Sequence, residues 1–156
     1  MVGRRAGNQN PCIEKIGHSK VKVADPGTAR SAILLNPEKA QVRRIRIDRC
    51  LAPVGDIAAD FVVSNSKIVD VIVELKGKNV DHAVDQIEST LAFWRSHAEH
   101  QTGQLIGAWI MCSEYPRASS KVARYRESFR ARGNILLVST HNGEERPFSD
   151  FVPKQL

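Results

Sequence analysis

Between Gln41 and Asp48, in "QVRRIRID", Ile45 and Ile47 alternate with Arg44, Arg46 and Asp48, the period of a strand with one buried face. "ADFVVSN" (59–65) and "IVDVIVELKG" (68–77) follow as two more strands. The polar turn "SNSK" between them has hairpin length, so the three segments predict a meander. After Gly77 the period lengthens from 2 to 3.6. Val84, Ile87, Leu91, Trp94 and Ala98 then form one stripe on a helix whose N-cap is Asn79 or Asp81. "QLIGAWIMC" (104–112) is apolar on both faces and predicts a central strand. "SSKVARYRESFRARG" (119–133) predicts a second helix, capped by Ser119 or Ser120, with Val122, Tyr125 and Phe129 on one face and Gly133 at its end. "NILLVST" (134–140) reads as another buried strand.

The order β-β-β-α-β-α-β predicts an α/β fold, a mixed β-sheet flanked by helices with right-handed crossovers. Before it, Gly3, Gly7, Gly17, Pro26-Gly27 and Asn36-Pro37 interrupt every long period. There "CIEKIGHSKVKV" suits a short helix or a strand, and "GTARSAILLN" a short helix. The tail "HNGEERPFSDFVPKQL" is polar, carries two prolines and is expected to pack loosely over the surface. The chain thus divides into an N-terminal segment (1–40) that could hold a first helix, a core (41–140) and a tail (141–156), all within one domain.

Composition narrows the partners. A chain of 156 residues with 42% hydrophobic and 26% charged residues can bury a core without staples, which excludes wholesale disorder. The net charge of +6 favours an anionic partner, nucleic acid being the commonest. Cys12, Cys50 and Cys112 are far apart, form no CxxC pair and have no histidine spaced to complete a zinc site. A reduced, cytoplasmic location is therefore expected. No apolar stretch approaches the roughly 20 residues that span a bilayer, and the start lacks the apolar core of a signal peptide, so no membrane partner is expected.

The strand 68–77 carries charges near its end. With a loop of Ser66, Lys67 and Ile68, Asn65 faces Val69 and Asp60 faces Glu74, and Lys76 shares their side of the sheet. Phe61, Val63, Val69, Val71, Val73 and Leu75 collect on the other side, expected to be the core. Two facing carboxylates about 5 Å apart repel unless a divalent cation sits between them. Their hard oxygens, with a backbone carbonyl and waters, suit Mg²⁺ or Mn²⁺. A lysine beside such a cation can hold a water and stabilise charge on a phosphate, which makes a phosphodiester the best-served substrate.

With Asp60 in "AADFVV", Glu74-Leu75-Lys76 in "VELKG" and the helix "DHAVDQIEST" after them, the chain resembles the PD-(D/E)xK nuclease superfamily, whose members share an αβββαβ core. The likeness covers roughly half the chain, from the first strand of the meander to residue 112, with 118–140 as an αβ extension. It implies that Asp60, Glu74 and the carbonyl of Leu75 bind the metal, that Lys76 orients the attacking water, and that Gln86 faces the site from the helix. Ala59 stands where the motif's name has proline, and the acid that many members carry on a first helix has only Glu14 and Glu38 as candidates. The implied activity is Mg²⁺-dependent cleavage of DNA, as an endonuclease. Many members act as dimers to cut two strands, which extends the expectation to a homodimer.

Plainer readings stand beside this one. Glu and Lys alternate on many solvated strand faces, and Asp70, on the same face as Glu74, suits a merely wet outer side. A nuclease-fold module that binds or regulates without cleaving is the rival function. A small-molecule α/β enzyme finds no Gly-rich phosphate loop or nucleophile arrangement. His82, one turn from Gln86, suits either the site or the surface. Arg44 and Arg46 on the first strand, and Arg124, Arg126 and Arg130 on the second helix, are candidate phosphate contacts. Trp94 and Trp109 sit in apolar patterns and are expected in the core.

Overall fold

A computed structural model of the chain describes residues 10–25, 29–75, 79–113 and 119–154. The N-terminal stretch forms strands β1 (Ile13–Ile16), β2 (Lys20–Ala24) and β3 (Ser31–Leu35), so no helix precedes the meander among the described residues. In β2, Val21 and Val23 are buried while Lys20 and Lys22 are exposed, a period-2 alternation that favours the strand over the helix. "SAILL" likewise forms β3, where a short helix was expected, because both its neighbours in the sheet supply ladder partners.

The predicted meander is present as β4 (Val42–Arg46), β5 (Phe61–Asn65) and β6 (Val69–Leu75), antiparallel throughout. Asn65 pairs with Val69 and Phe61 with Val73, the register that a Ser66–Ile68 loop requires. The turn is closed by Ile68 N–H and Lys67 N–H, which donate to the carbonyl and side-chain oxygens of Asn65. Helix α1 (Val80–Ser96) follows, capped by Asn79 and ending before Ala98. Strand β7 (Ile106–Met111), helix α2 (Ser120–Ala131), capped by Ser119, and strand β8 (Leu136–Ser139) complete the predicted order. The main sheet runs β1-β4-β5-β6-β7-β8, with β6, β7 and β8 parallel. β8 is its edge and only half-buried, not the fully buried strand that its composition suggests.

Both helices cover one face of this sheet, where Val84, Ile87, Leu91, Trp94, Val122 and Phe129 pack on Ile45, Val62, Ile72 and Ile110. The opposite face carries no α-helix among the described residues. It is covered by a second sheet, β2-β3-β9, with β9 at Glu144–Pro147, and by the 3-10 turn Phe148–Phe151. The result is three layers, helices, mixed sheet and small sheet: an α/β fold with a mixed sheet, as expected, whose second face is covered by strands.

The tail therefore does not lie loosely on the surface. β9 pairs in parallel with β3, and Phe148 and Phe151 pack on Val71, Val73 and Trp109. Every residue of β5 and β6 is buried, so the face shared by Asp60 and Glu74 is a second core face and not a wet one. Asp70 shows why. It is 1% exposed and accepts from Ser64 Oγ (2.6 Å), Trp94 Nε1 (2.8 Å) and Gln104 Nε2 (3.4 Å), with His100 Nδ1 at 3.3 Å. A buried carboxylate is tolerable only with such a set of partners.

The cysteine spacing does not foretell the pairing that forms: Cys12 and Cys50 make a disulfide, which leaves the buried Cys112 as the remaining cysteine. No helix among the described residues is long and apolar enough to cross a membrane.

Candidate active site

Asp60 precedes β5 and Glu74 is the penultimate residue of β6, so the hairpin register brings them together at one end of the sheet. A pair of reciprocal hydrogen bonds fixes them. Asp60 N–H donates to Glu74 Oε1 (3.1 Å), and Leu75 N–H donates to Asp60 Oδ2 (2.9 Å). Each carboxylate is thus held by the other strand's backbone, which restrains both side chains before any ligand arrives. Glu74 is 2% exposed and Asp60 half-buried, an environment in which a charge on either group acts strongly on its surroundings.

This end of the sheet is where the parallel strands β6, β7 and β8 finish and where α1 and α2 begin, the usual position for a site in α/β folds. The two helix starts are tied together by Ser119 Oγ, which donates to Asp81 Oδ1 (2.6 Å), and by the Lys121–Asp85 ion pair (3.0 Å). Farther along the same seam Glu88 accepts from Tyr125 OH (2.6 Å) and pairs with Arg132 (3.2 Å). Partial burial alone would raise the Glu88 carboxyl, but the bonds from Tyr125 and Arg132 and the nearby arginine charges hold it below its ordinary value. Burial and Glu88 push the Tyr125 phenol up, so it remains a donor.

Helix α1 also holds the segment that leads into Asp60. Ser89 Oγ donates to the Ile57 carbonyl (2.7 Å), Gln86 Nε2 to the Ala58 carbonyl (3.1 Å), and Thr90 Oγ1 accepts from Ala59 N–H (2.7 Å). Three consecutive backbone groups before Asp60 are therefore clamped to one helix face. From the other side, the irregular turn Ile47–Leu51 donates Ile47 N–H to the Asp60 carbonyl (3.0 Å) and Asp48 N–H to the Ala59 carbonyl (3.1 Å). Asp60 is positioned from both sides.

Of the residues singled out in the sequence, Asp60, Glu74 and Leu75 lie together, Leu75 touching Asp60 through its N–H. Gln86 reaches the segment leading into Asp60, and its Oε1 is buried with no hydrogen-bond partner among the described residues, an acceptor that a water near Asp60 could satisfy. Lys76 lies outside the described residues. His82 is exposed, and its described hydrogen bond is the capping bond from its N–H to Asn79. Glu14, on β1, pairs with Arg44 (3.0 Å), and Glu38 is exposed beyond β3, so neither stands on a first helix.

The arginines fall on different sides of the molecule. Arg44 and Arg46 point away from Ile45, towards the small sheet, Arg46 lying over the Phe61 ring (5.0 Å). They are across the sheet from the carboxylate pair. Arg124 is exposed in the first half of α2, which begins beside the site, whereas Arg126 and Arg130 extend towards the opposite end of the sheet, beside β8.

Among the described residues no group of three or more His, Cys, Asp and Glu side chains gathers. A cation at this site would rest on two carboxylates, backbone carbonyls and water. That donor set is hard and incomplete without solvent or substrate, as Mg²⁺ prefers, and lacks the nitrogen or sulfur that Zn²⁺ selects. Sequence reasoning missed Ser89, Thr90 and the Asp70 network. Thr90 was detectable as a polar residue three positions after Ile87 on the apolar stripe, a place that a hydroxyl occupies only with a partner. No protein-family model, curated protein or solved structure matches the chain.

Proposed function

We propose that the chain is a metal-dependent nuclease that hydrolyses phosphodiester bonds in DNA within the strand. The observation that carries this reading is the Asp60–Glu74 pair, two carboxylates latched to each other's backbone at the end of a buried hairpin. Such an acidic pair is costly to bury unless a cation or another partner offsets its charge. The net charge of +6 suits a polyanionic substrate, and Arg124 is the arginine best placed to meet its backbone.

Asp60 and Glu74 would hold Mg²⁺ or Mn²⁺, with the Leu75 carbonyl beside them. The bound ion supplies a more acidic water and a Lewis acid at the phosphate. Thr90, Ser89 and Gln86 keep Asp60 in place. Gln86 Oε1 accepts from a water, and Lys76 orients the attacking water, as the PD-(D/E)xK likeness implies. The water oxygen bonds to phosphorus as the bond to the 3′-oxygen breaks. The departing oxygen takes a proton, leaving a 5′-phosphate and a 3′-hydroxyl.

The incomplete acidic set keeps one rival in view, a nuclease-fold module that binds nucleic acid without cutting. A cytoplasmic location now rests on the proposed substrate alone, since the cysteines no longer argue for it. Circular DNA incubated with the protein and Mg²⁺ should be nicked, with a chelator abolishing the effect and Glu74→Ala lowering the rate about 10³-fold or more. Full activity in Glu74→Ala would refute the assignment.

A further inference from the structure

Strand β8 closes the main sheet, and no described strand pairs with its outer edge. Its parallel ladder with β7 uses the odd-numbered residues: Ala108 N–H donates to the Ile135 carbonyl and Cys112 N–H to the Ser139 carbonyl, both at 2.9 Å. The N–H and C=O groups of Leu136 and Val138 therefore face outward. A cavity lies on each side of this edge. One, of about 290 Å³, is on the α2 side and is lined by Arg126, Arg130 and Asn134. The other, of about 650 Å³, is on the side of the 3-10 turn and is lined by Arg130, Leu137 and Lys154.

Two donors on residues that line the first cavity have no hydrogen-bond partner among the described residues. Asn134 is 4% exposed, and its Nδ2 makes no hydrogen bond; Arg126 Nε is buried and equally unmet. Buried donors of this kind cost free energy until an acceptor reaches them. Arg126, Arg130 and Lys154 form no ion pair with a described residue, and the one acid lining either cavity, Asp150, is paired with Arg146, so the edge is basic on both sides.

We infer that the β8 edge is a docking site for an acidic, extended polypeptide segment of a partner protein, which adds to the sheet as a seventh strand. An added strand meets the outward N–H and C=O groups of Leu136 and Val138. Its side chains alternate between the two faces, where the two cavities lie. Carboxylates at those positions face Arg126, Arg130 and Lys154 and offer acceptors to Asn134 and Arg126. A second copy of this chain fits poorly, because its own β8 edge would bring like charges together. A nucleic-acid backbone also fits poorly, since its phosphates accept hydrogen bonds and leave the outward carbonyls unmet.

The test uses the full chain and a short, end-blocked peptide of repeated Val-Val-Glu-Glu, whose glutamates fall on both faces of a strand, compared with the same peptide carrying lysine for glutamate. The glutamate peptide should bind and slow amide hydrogen exchange at Leu136 and Val138. The doubly reversed Arg126→Glu/Arg130→Glu protein should bind it about tenfold more weakly or worse. Lys154→Glu, on the other side of the edge, should weaken it independently, which keeps the inference testable if the double variant does not fold. Failure of the glutamate peptide to bind at millimolar concentration, equal binding of the lysine peptide, or undiminished binding in the variants would overturn the inference. Protection of the same amides by a DNA oligonucleotide, or by self-association of the protein alone, would overturn it in favour of those occupants. Neither cleavage activity nor metal enters any of these readouts.

Discussion

Thr90 sits in the middle of α1's buried stripe, 1% exposed, with its hydroxyl accepting the Ala59 N–H. Replacing it by alanine leaves that N–H buried and unmet, a loss of about 1–3 kcal/mol. Denaturant unfolding should show this for Thr90→Ala and show most of it restored in Thr90→Ser, which keeps the oxygen. Equal destabilisation by the two substitutions would mean that the lost methyl, and not the bond, matters. Side chains such as this one separate what a sequence discloses from what it hides. Asp60 and Glu74 could be paired on paper because a short loop dictates which residues face each other, and facing is a local property. Asp70 looked identical to a surface aspartate, since alternation assigns a face but cannot say what covers it. Its cover comes from Trp94, His100 and Gln104, more than twenty residues away.

The elements best read in advance were those whose evidence is local. Asn79 and Ser119 cap the two helices, and the period-3.6 stripes point inward as expected. The strands outside the core segment were harder, because β3 and β9 pair across more than a hundred residues and neither has a long apolar run. The tail's seating depends on one close approach. A Cβ at Gly107, on β7, would lie 2.8 Å from the Cβ of Phe151 and 3.2 Å from its carbonyl oxygen. Gly107→Ala should therefore push the 3-10 turn off the sheet and cost about 1–3 kcal/mol in thermal or chemical unfolding. A Gly107→Ala protein as stable as the parent would show that the turn can shift without loss.

Across the whole molecule, elements distant in sequence meet at one end of the main sheet. Helix α1 clamps the segment before Asp60 from one side, and the turn Ile47–Leu51 holds it from the other. That turn is itself stapled, since Cys50 is bonded to Cys12 across a separation of 38 residues. A cross-link of this span stabilises a chain by about 2–4 kcal/mol, chiefly by restricting the unfolded state. The Cys12→Ser/Cys50→Ser protein should lose that much in denaturant, and a reducing agent should have the same effect on the parent but none on the variant. The fold as a whole thus presents a preformed acidic pair, and its capacity to hold a divalent cation is the central claim. Calorimetric titration of Mn²⁺ into the parent and into Asp60→Asn tests it most directly. The predicted result is saturable binding in the parent that is lost in a variant of unchanged secondary structure; no binding in the parent at millimolar Mn²⁺, or undiminished binding in Asp60→Asn, would contradict it.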